Sequence, residues 1–156
     1  MSISFRHSAG FGKRIEYWVA GLMLKEGIDV YMPLIDDNGI DAVIRRDDGT
    51  FVEVQIKARS KSVKMGDAAL FAALTHEYRE NYFFVFYSER LETFWIMSSE
   101  EFISESVQNK TGKNIGKRSI WFNGKRKNKE TGEYKEHCHE RFSKYIAKDF
   151  QRLAKA

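Results

Sequence analysis

The segment GIDAVIRRDDGTFVEVQIK, residues 39–57, decides the fold of this chain. Two stretches rich in β-branched residues, 40–44 and 51–56, flank a turn-forming stretch at 46–50. This order is typical of two antiparallel strands joined by a tight hairpin. Asp41 lies at the start of the first strand, and Gln55 and Lys57 lie at the end of the second.

The register of this hairpin depends on the length of its turn. A three-residue turn at 47–49, with a left-handed glycine, pairs Arg46 with Thr50. Continuing that register sets Asp41 opposite Gln55, roughly 5 Å away on one face of the sheet. The sequence hypothesis therefore predicts the three-residue turn.

A shorter turn would separate the same side chains. A two-residue loop at 48–49 would pair Asp41 with Ile56 and send the carboxylate to the other face. In the favoured register Asp41, Gln55 and Lys57 share a face, because side chains alternate along a strand. Oxygen donors beside an amine can hold a hard metal ion next to a polarised water, which favours a phosphodiesterase site.

A helix that bears Glu16, a strand Asp41 and a following Gln55-Ile56-Lys57 resemble the PD-(D/E)XK nuclease superfamily. The sequences Gly-Ile-Asp and Val-Gln-Ile-Lys are most similar to those of its Mrr-type restriction and Holliday-junction-resolvase-like branches. The resemblance covers about the first 100 residues. It implies an α/β fold of the restriction-endonuclease type, with a central mixed sheet of about four to five strands flanked by helices. We expect one domain over 1–156, in which a basic extension, 109–156, packs on a core, 1–108.

The resemblance also implies a metal site. Mg²⁺, with Mn²⁺ as a possible substitute, would be held by Asp41, the side-chain carbonyl of Gln55 and the backbone carbonyl of Ile56. Lys57 would orient or help deprotonate the attacking water. The predicted catalytic set is therefore Glu16, Asp41, Gln55 and Lys57.

Glu16 is included in this set because position 55 has a neutral glutamine in place of an acidic residue, which leaves the site with one negative charge fewer. A single carboxylate should hold magnesium weakly, so we expect Glu16 to supply a second one, directly or through water. Glu53 is the competing donor, since it lies on the same strand face as Gln55. The match of Glu16 to the family pattern favours Glu16.

The length and the single cysteine bound the class of protein. A chain of 156 residues can bury about 70% of its unfolded surface in one core. Cys138 alone cannot form an intramolecular disulfide, and no apolar run approaches the length of a membrane span. We therefore expect a cytoplasmic protein without a membrane partner.

The charge is divided unevenly along the chain. Residues 1–108 hold 12 Lys and Arg against 17 Asp and Glu, a balance of −5, whereas residues 109–156 hold 14 against 5, a balance of +9. A basic segment favours phosphate contacts with a polyanion. The predicted nucleic-acid contacts are Lys117, Arg118, Lys125, Arg126, Lys127 and Lys129.

The remaining pattern predicts helices and strands around the hairpin. Helices are expected at about 8–26, at 67–79 after an Asp67 cap, from a Ser98–Glu101 capping box to about residue 109, and from about residue 140 to the end. Strands are expected at 82–87 and 93–97, with a short strand or hairpin in the basic segment. The triplet His137-Cys138-His139 lacks the ligand spacing of a structural zinc site.

These observations together predict a metal-dependent DNA endonuclease that hydrolyses phosphodiester bonds with a metal-activated water. Its DNA could be duplex or branched, and a homodimer is expected because two strands require two sites. The alternative is a catalytically inactive nuclease fold that binds nucleic acid or a protein partner. Cleavage of RNA or of DNA junctions is a third possibility.

Overall fold

The computed structural model describes residues 10–156. The helices are α1 Phe11–Lys25, α2 Ser99–Glu105 and α3 Gln151–Ala154, with a 3-10 helix at Glu140–Tyr145. The strands are β1 Asp29–Tyr31, β2 Ala42–Arg45, β3 Phe51–Arg59, β4 Leu70–Leu74, β5 Tyr82–Ser88, β6 Thr93–Ser98, β7 Val107–Gln108, β8 Arg118–Trp121, β9 Asn123–Lys127, β10 Tyr134–Cys138 and β11 Ile146–Ala147. The predicted start of the first helix, near Ser8, lies outside the described residues.

The main sheet is mixed and has the strand order β1-β2-β3-β5-β6-β11. Strands β3 and β5 pair in parallel, and the other neighbours pair antiparallel. The expected mixed α/β fold is thus confirmed. The sheet has six strands instead of the expected four to five. The two edge strands, β1 and β11, have only three and two residues, which is too short to give a recognisable sequence pattern.

The hairpin between β2 and β3 has the predicted three-residue turn. The Arg46 amide donates to the Thr50 carbonyl over 2.7 Å, and Gly49 is left-handed with φ +86°. The ladder continues from this turn until Ala42 pairs with Val54. The register that brings Asp41 towards the end of β3 is therefore confirmed.

The main sheet separates two apolar clusters. On one face, Ile15, Val19 and Met23 of α1 pack with alternate residues of β3, and their side chains are fully buried. On the other face, aromatic residues of β5 and β6 pack against β8, α2 and the 3-10 helix. Glu53, Gln55 and Lys57 thus face away from the α1 core, as their alternation along β3 predicts.

The predicted helix at 67–79 is wrong, since this stretch contains strand β4. Leu70 pairs with Trp121 and Phe71 pairs with Ile120, so β4 joins a second sheet of order β4-β8-β7. The pattern of alanine and leucine favours a helix locally, but pairing with a distant strand overrides that preference.

The predicted long C-terminal helix is also wrong. Its apolar residues fall in three short elements, because Ile146 and Ala147 pair with the edge strand β6 before α3 begins. The carboxylate of Glu26 accepts the Phe150 amide at 3.0 Å and fixes the start of α3 against α1. Phe142, Phe150 and Leu153 are buried from different segments, whereas Ile146 is 37% exposed, so the helical spacing does not mark a single helix.

The predicted cap of α2 is confirmed. The Ser98 hydroxyl accepts the Glu101 amide, and the Glu101 carboxylate accepts the Ser98 amide. The helix ends at Glu105, earlier than predicted, because the next residues form β7 and pair with β8. Within residues 10–156 no helix is both long and apolar enough to cross a membrane.

Candidate active site

Asp41 is held at the point where β2 begins, and it is only 6% exposed. Its amide donates to the Val54 carbonyl over 2.8 Å, and its Oδ2 accepts the Ile56 amide at 2.7 Å. The last regular ladder pair is Ala42 with Val54, so the predicted pairing of Asp41 with Gln55 is not formed. The carboxylate itself takes the place of a strand partner for the Ile56 amide.

Three carboxylates meet at this position. Glu16 from α1, Asp36 from the loop before β2, and Asp41 each offer an oxygen, and these oxygens lie within 4.8 Å of one another. Helix α1 brings Glu16 here because its apolar face packs on the sheet and leaves Glu16 at the border of that face. We call these three residues the acidic cluster.

Sequence reasoning missed Asp36. The run Asp36-Asp37 before Gly39 signals local acidity, but such residues are common in loops and no periodicity selects one of them. Only the path of the loop shows that Asp36, and not Asp37, belongs to the acidic cluster.

Lys13 supplies a positive charge at the rim of the acidic cluster. Its Nζ lies 2.8 Å from Glu16 Oε2 and 4.0 Å from Asp36 Oδ2. The hydrogen bond and charge of Glu16 raise the pKa of Lys13, so the ammonium form is favoured. The cluster is therefore attractive to cations.

The acidic cluster changes the acidity of Asp41. Burial raises its pKa to about 7, and the neighbouring carboxylates Asp36 and Glu16 act in the same direction. The Ile56 amide acts in the opposite direction because it stabilises the ionised form. Such a perturbed carboxylic acid in a group of acids is typical of a functional site.

The structure distinguishes the two glutamates considered as the second carboxylate. Glu53 accepts a hydrogen bond from Arg79 Nη2 over 2.8 Å, and Arg79 also donates to the Asn38 carbonyl over 2.7 Å. Glu53 is thus engaged in holding the loop before Asp41, whereas Glu16 lies beside Asp41 in the acidic cluster.

Gln55 lies against the loop glycine and a buried tyrosine. Its Oε1 is 3.0 Å from Tyr82 Oη, which is also 2.5 Å from the Gly39 carbonyl. Gly39 has φ +67°, and a Cβ there would lie 3.3 Å from both Gln55 Nε2 and Tyr82 Oη. This close approach at a left-handed position explains the glycine.

Lys57 follows Gln55 on the same face of β3 and is half-buried. Within residues 10–156 its Nζ has neither a hydrogen bond nor an ion pair with another side chain. The structure therefore does not join Lys57 to the acidic cluster by a direct contact. Its amine is available to a water or a phosphate.

The predicted basic contacts fall in two places. Lys125, Arg126 and Lys127 are exposed on β9, which pairs with β10 in a two-stranded ribbon, and Lys129 is exposed in the connecting turn. Arg118 instead donates to the Ile103 carbonyl over 3.2 Å and holds β8 to α2. The charged groups of the ribbon are therefore more available for binding than the guanidinium group of Arg118.

Comparisons with known proteins identify the family of the chain. Residues 10–93 match the family described as restriction endonuclease, of the Mrr catalytic type. Among solved structures, a bacterial homing endonuclease, I-Ssp6803I, is 28% identical with a TM-score of 0.49, over 71% of this chain and 88% of that chain. No curated protein matches the chain. Since the family match spans more than half of the chain and includes every residue of the predicted catalytic set, the chain belongs to the Mrr-type restriction endonuclease family.

Proposed function

We propose that the protein is a metal-dependent DNA endonuclease whose site is built on the acidic cluster. The observation that carries this proposal is the meeting of Glu16, Asp36 and Asp41 within the span that matches restriction endonucleases. The same span contains Gln55 and Lys57 on the adjoining strand.

The donor set fits a divalent cation of the magnesium type. Opposite ligands of an octahedral magnesium ion lie about 4 Å apart, and the three carboxylate oxygens already lie within 4.8 Å. All of them are hard oxygen donors, which Mg²⁺ and Mn²⁺ prefer. Burial is the main cause of the raised pKa of Asp41, and the neighbouring carboxylates add to it; a bound cation would offset both effects.

The proposed ligands are Glu16, Asp36 and Asp41, with the Gln55 side-chain carbonyl and the Ile56 backbone carbonyl completing the set. When bound, the cation supplies Lewis-acid activation of water and neutralises phosphate charge. Asp36 compensates for the neutral amide at position 55. The Ile56 amide holds the Asp41 carboxylate in place.

Lys57 carries the proton-transfer and charge-balancing role in this proposal. As an ammonium group it can orient the attacking water through a hydrogen bond, and only in its neutral form could it take the proton that leaves this water. It also places a positive charge beside the scissile phosphate, where negative charge increases during attack. A half-buried amine that makes no ion pair with a carboxylate of residues 10–156 is suited to both tasks.

The basic ribbon β9–β10 supplies contacts that hold DNA without reading its sequence. Lys125, Arg126, Lys127 and Lys129 would contact phosphates, and a homodimer would present two sites to two strands. Removing the charge of Arg126 or Lys127 should weaken DNA binding and lower the slope of log K against log salt by about 1 for each phosphate that is no longer neutralised.

Plasmid nicking tests the proposed function. Wild type should nick supercoiled DNA with Mg²⁺ or Mn²⁺, and Asp41→Ala or Lys57→Ala should reduce the rate by more than about 100-fold, since even partners outside the first ligand shell cost 10–100-fold. Asp36→Asn should also reduce cleavage, whereas Asp37→Asn is the matched control from the same loop.

Two results would contradict the proposal. Undiminished nicking by both Asp41→Ala and Lys57→Ala would show that the site lies elsewhere. Binding of DNA without cleavage in either metal would favour the inactive binding module. Parallel assays on structured RNA and on four-way DNA junctions would identify the preferred substrate.

A further inference from the structure

Tyr82 contacts the two parts of the site that the sequence separates. It begins β5, is only 2% exposed, and lies 2.5 Å from the Gly39 carbonyl and 3.0 Å from Gln55 Oε1 through its Oη. A phenol has one proton, so it can donate to only one of these two oxygens. The two contacts cannot both be hydrogen bonds donated by Tyr82.

The distances decide which oxygen receives the proton. The Gly39 carbonyl is 0.5 Å nearer than Gln55 Oε1 (2.5 Å against 3.0 Å), so it takes the tyrosine proton. Gln55 Oε1 would then face an oxygen lone pair without a hydrogen between them. At the same time Gln55 Nε2 has no acceptor within residues 10–156 in that orientation.

Exchanging the two ends of the Gln55 amide removes both conflicts. The two orientations fill the same space, and the amide nitrogen can then donate to a lone pair of Tyr82 Oη. The carbonyl oxygen moves off the tyrosine and is left without a hydrogen-bond donor. A free, hard oxygen next to Gly39 is what a divalent cation needs from Gln55.

We propose that Tyr82 is a positioning residue that donates to the Gly39 carbonyl, accepts from Gln55 Nε2, and so turns Gln55 Oε1 towards the bound cation. This inference rests on the proposed function and adds the element that fixes its amide ligand. It also explains an amide at position 55. A glutamate there has no N–H for Tyr82 and would compete with the Gly39 carbonyl for the single phenol proton.

The surroundings of Tyr82 suit this role. Its ring stacks on His76 with a centroid distance of 5.2 Å, and the Arg79 guanidinium lies 4.4 Å above the ring. These contacts hold the ring independently of the hydroxyl, so Tyr82→Phe removes the hydrogen bonds and keeps the packing. Burial raises the pKa of the Tyr82 hydroxyl, which therefore stays protonated at neutral pH.

Manganese binding without DNA tests the role of Tyr82. Titration of the full-length protein, followed by electron paramagnetic resonance, should show about tenfold weaker Mn²⁺ binding in Tyr82→Phe, the usual loss for a partner outside the ligand shell. Tyr87→Phe is the matched control. Tyr87 is also buried on β5, but its ring packs on the opposite face against Trp18 and Phe94.

A second background separates positioning from a general structural effect. In Gln55→Ala protein, the further change Tyr82→Phe should leave Mn²⁺ affinity unchanged, because no amide remains to be oriented. An equal loss in both backgrounds would overturn the proposal, as would wild-type Mn²⁺ affinity in Tyr82→Phe.

A third measurement uses the unaltered protein. Nuclear Overhauser contacts should join the Gln55 amide protons to the Tyr82 ring protons that flank the hydroxyl. Contacts from those amide protons only to Gly39 Hα would place the nitrogen away from Tyr82 and overturn the proposal, whatever the variants do.

The test also distinguishes this inference from the proposed function. If Asp41→Asn binds Mn²⁺ as wild type does, the proposal that the acidic cluster holds the metal is wrong. If Asp41→Asn loses Mn²⁺ and Tyr82→Phe keeps it, only the positioning role is wrong.

Discussion

Two carboxylates, Asp41 and Glu136, are buried in this protein with opposite surroundings. The Glu136 side chain is 4% exposed, and it is bound by Arg90 at 2.7 Å and by the amides of Gly66 and Ala68 at 2.9 and 3.0 Å. Burial alone would raise the pKa of Glu136, but Arg90 and the two amides outweigh it and lower the pKa.

Asp41 has one amide donor and two acidic neighbours, and its pKa is raised to about 7. The comparison shows that burial does not by itself mark a functional acid. The charge of Glu136 is balanced by an arginine and two amides of the protein, and these contacts hold β10 to the loop before β4. A buried carboxylate that has acidic neighbours and no arginine of its own keeps a raised pKa, and that raised pKa is the physical signature of the candidate site.

Removing the charge of Glu136 should give the largest change in stability. Glu136→Gln leaves the partly buried Arg90 guanidinium beside a neutral amide, and losing a hydrogen-bonded charge partner costs about 2 kcal/mol in the free energy of unfolding. Urea denaturation measures this loss, with Glu133→Gln as the exposed control from the same ribbon. A loss no larger than that of the control would show that Glu136 does not fasten the ribbon.

Removing the charge of Asp41 should have the opposite sign. Asp41→Asn keeps an oxygen for the Ile56 amide but no longer has to ionise among acids, so metal-free protein at pH 8 should gain roughly 1–3 kcal/mol. The folded pKa is raised, hence wild-type stability should fall as the pH rises from about 4 to about 7. Denaturation of both proteins at pH 5 and pH 8 measures the difference, which should be clearly smaller at pH 5, where only the first part of the fall has occurred. Destabilisation at pH 8 would contradict the comparison.

The sequence predicted those features of the fold that depend on local rules. The turn chemistry of residues 46–50 determined the register, and the Ser98–Glu101 cap determined the start of α2. Glu16 followed from the order of family residues. Asp36 and Tyr82 could not be found, because a loop path and a parallel strand pairing bring them to the site. The same non-local pairing turned residues 70–74 into a strand against their helical pattern.

A smaller effect should appear in the pH dependence of metal binding. Since Asp41 must lose its proton before it can serve as a ligand, Mn²⁺ affinity should rise by about tenfold per pH unit below pH 7 and level off above it. Titration with Mn²⁺ between pH 5.5 and pH 8.5 measures this profile. Affinity that does not change over this range would show that the proton on Asp41 does not compete with the cation.

The smallest effect should come from Asp36, and it separates the two causes of the raised pKa of Asp41. Burial stays the same in Asp36→Asn, but the acidic neighbour with the larger effect on Asp41 is removed, so the apparent pKa of Asp41 should move downwards. Carbon-13 resonances of the aspartate carboxyl groups follow this titration, in which the acids of the cluster titrate together. Asp37→Asn should leave it unchanged. If Asp36→Asn also leaves it unchanged, Asp36 does not contribute to the raised pKa of Asp41, and burial would remain its main cause.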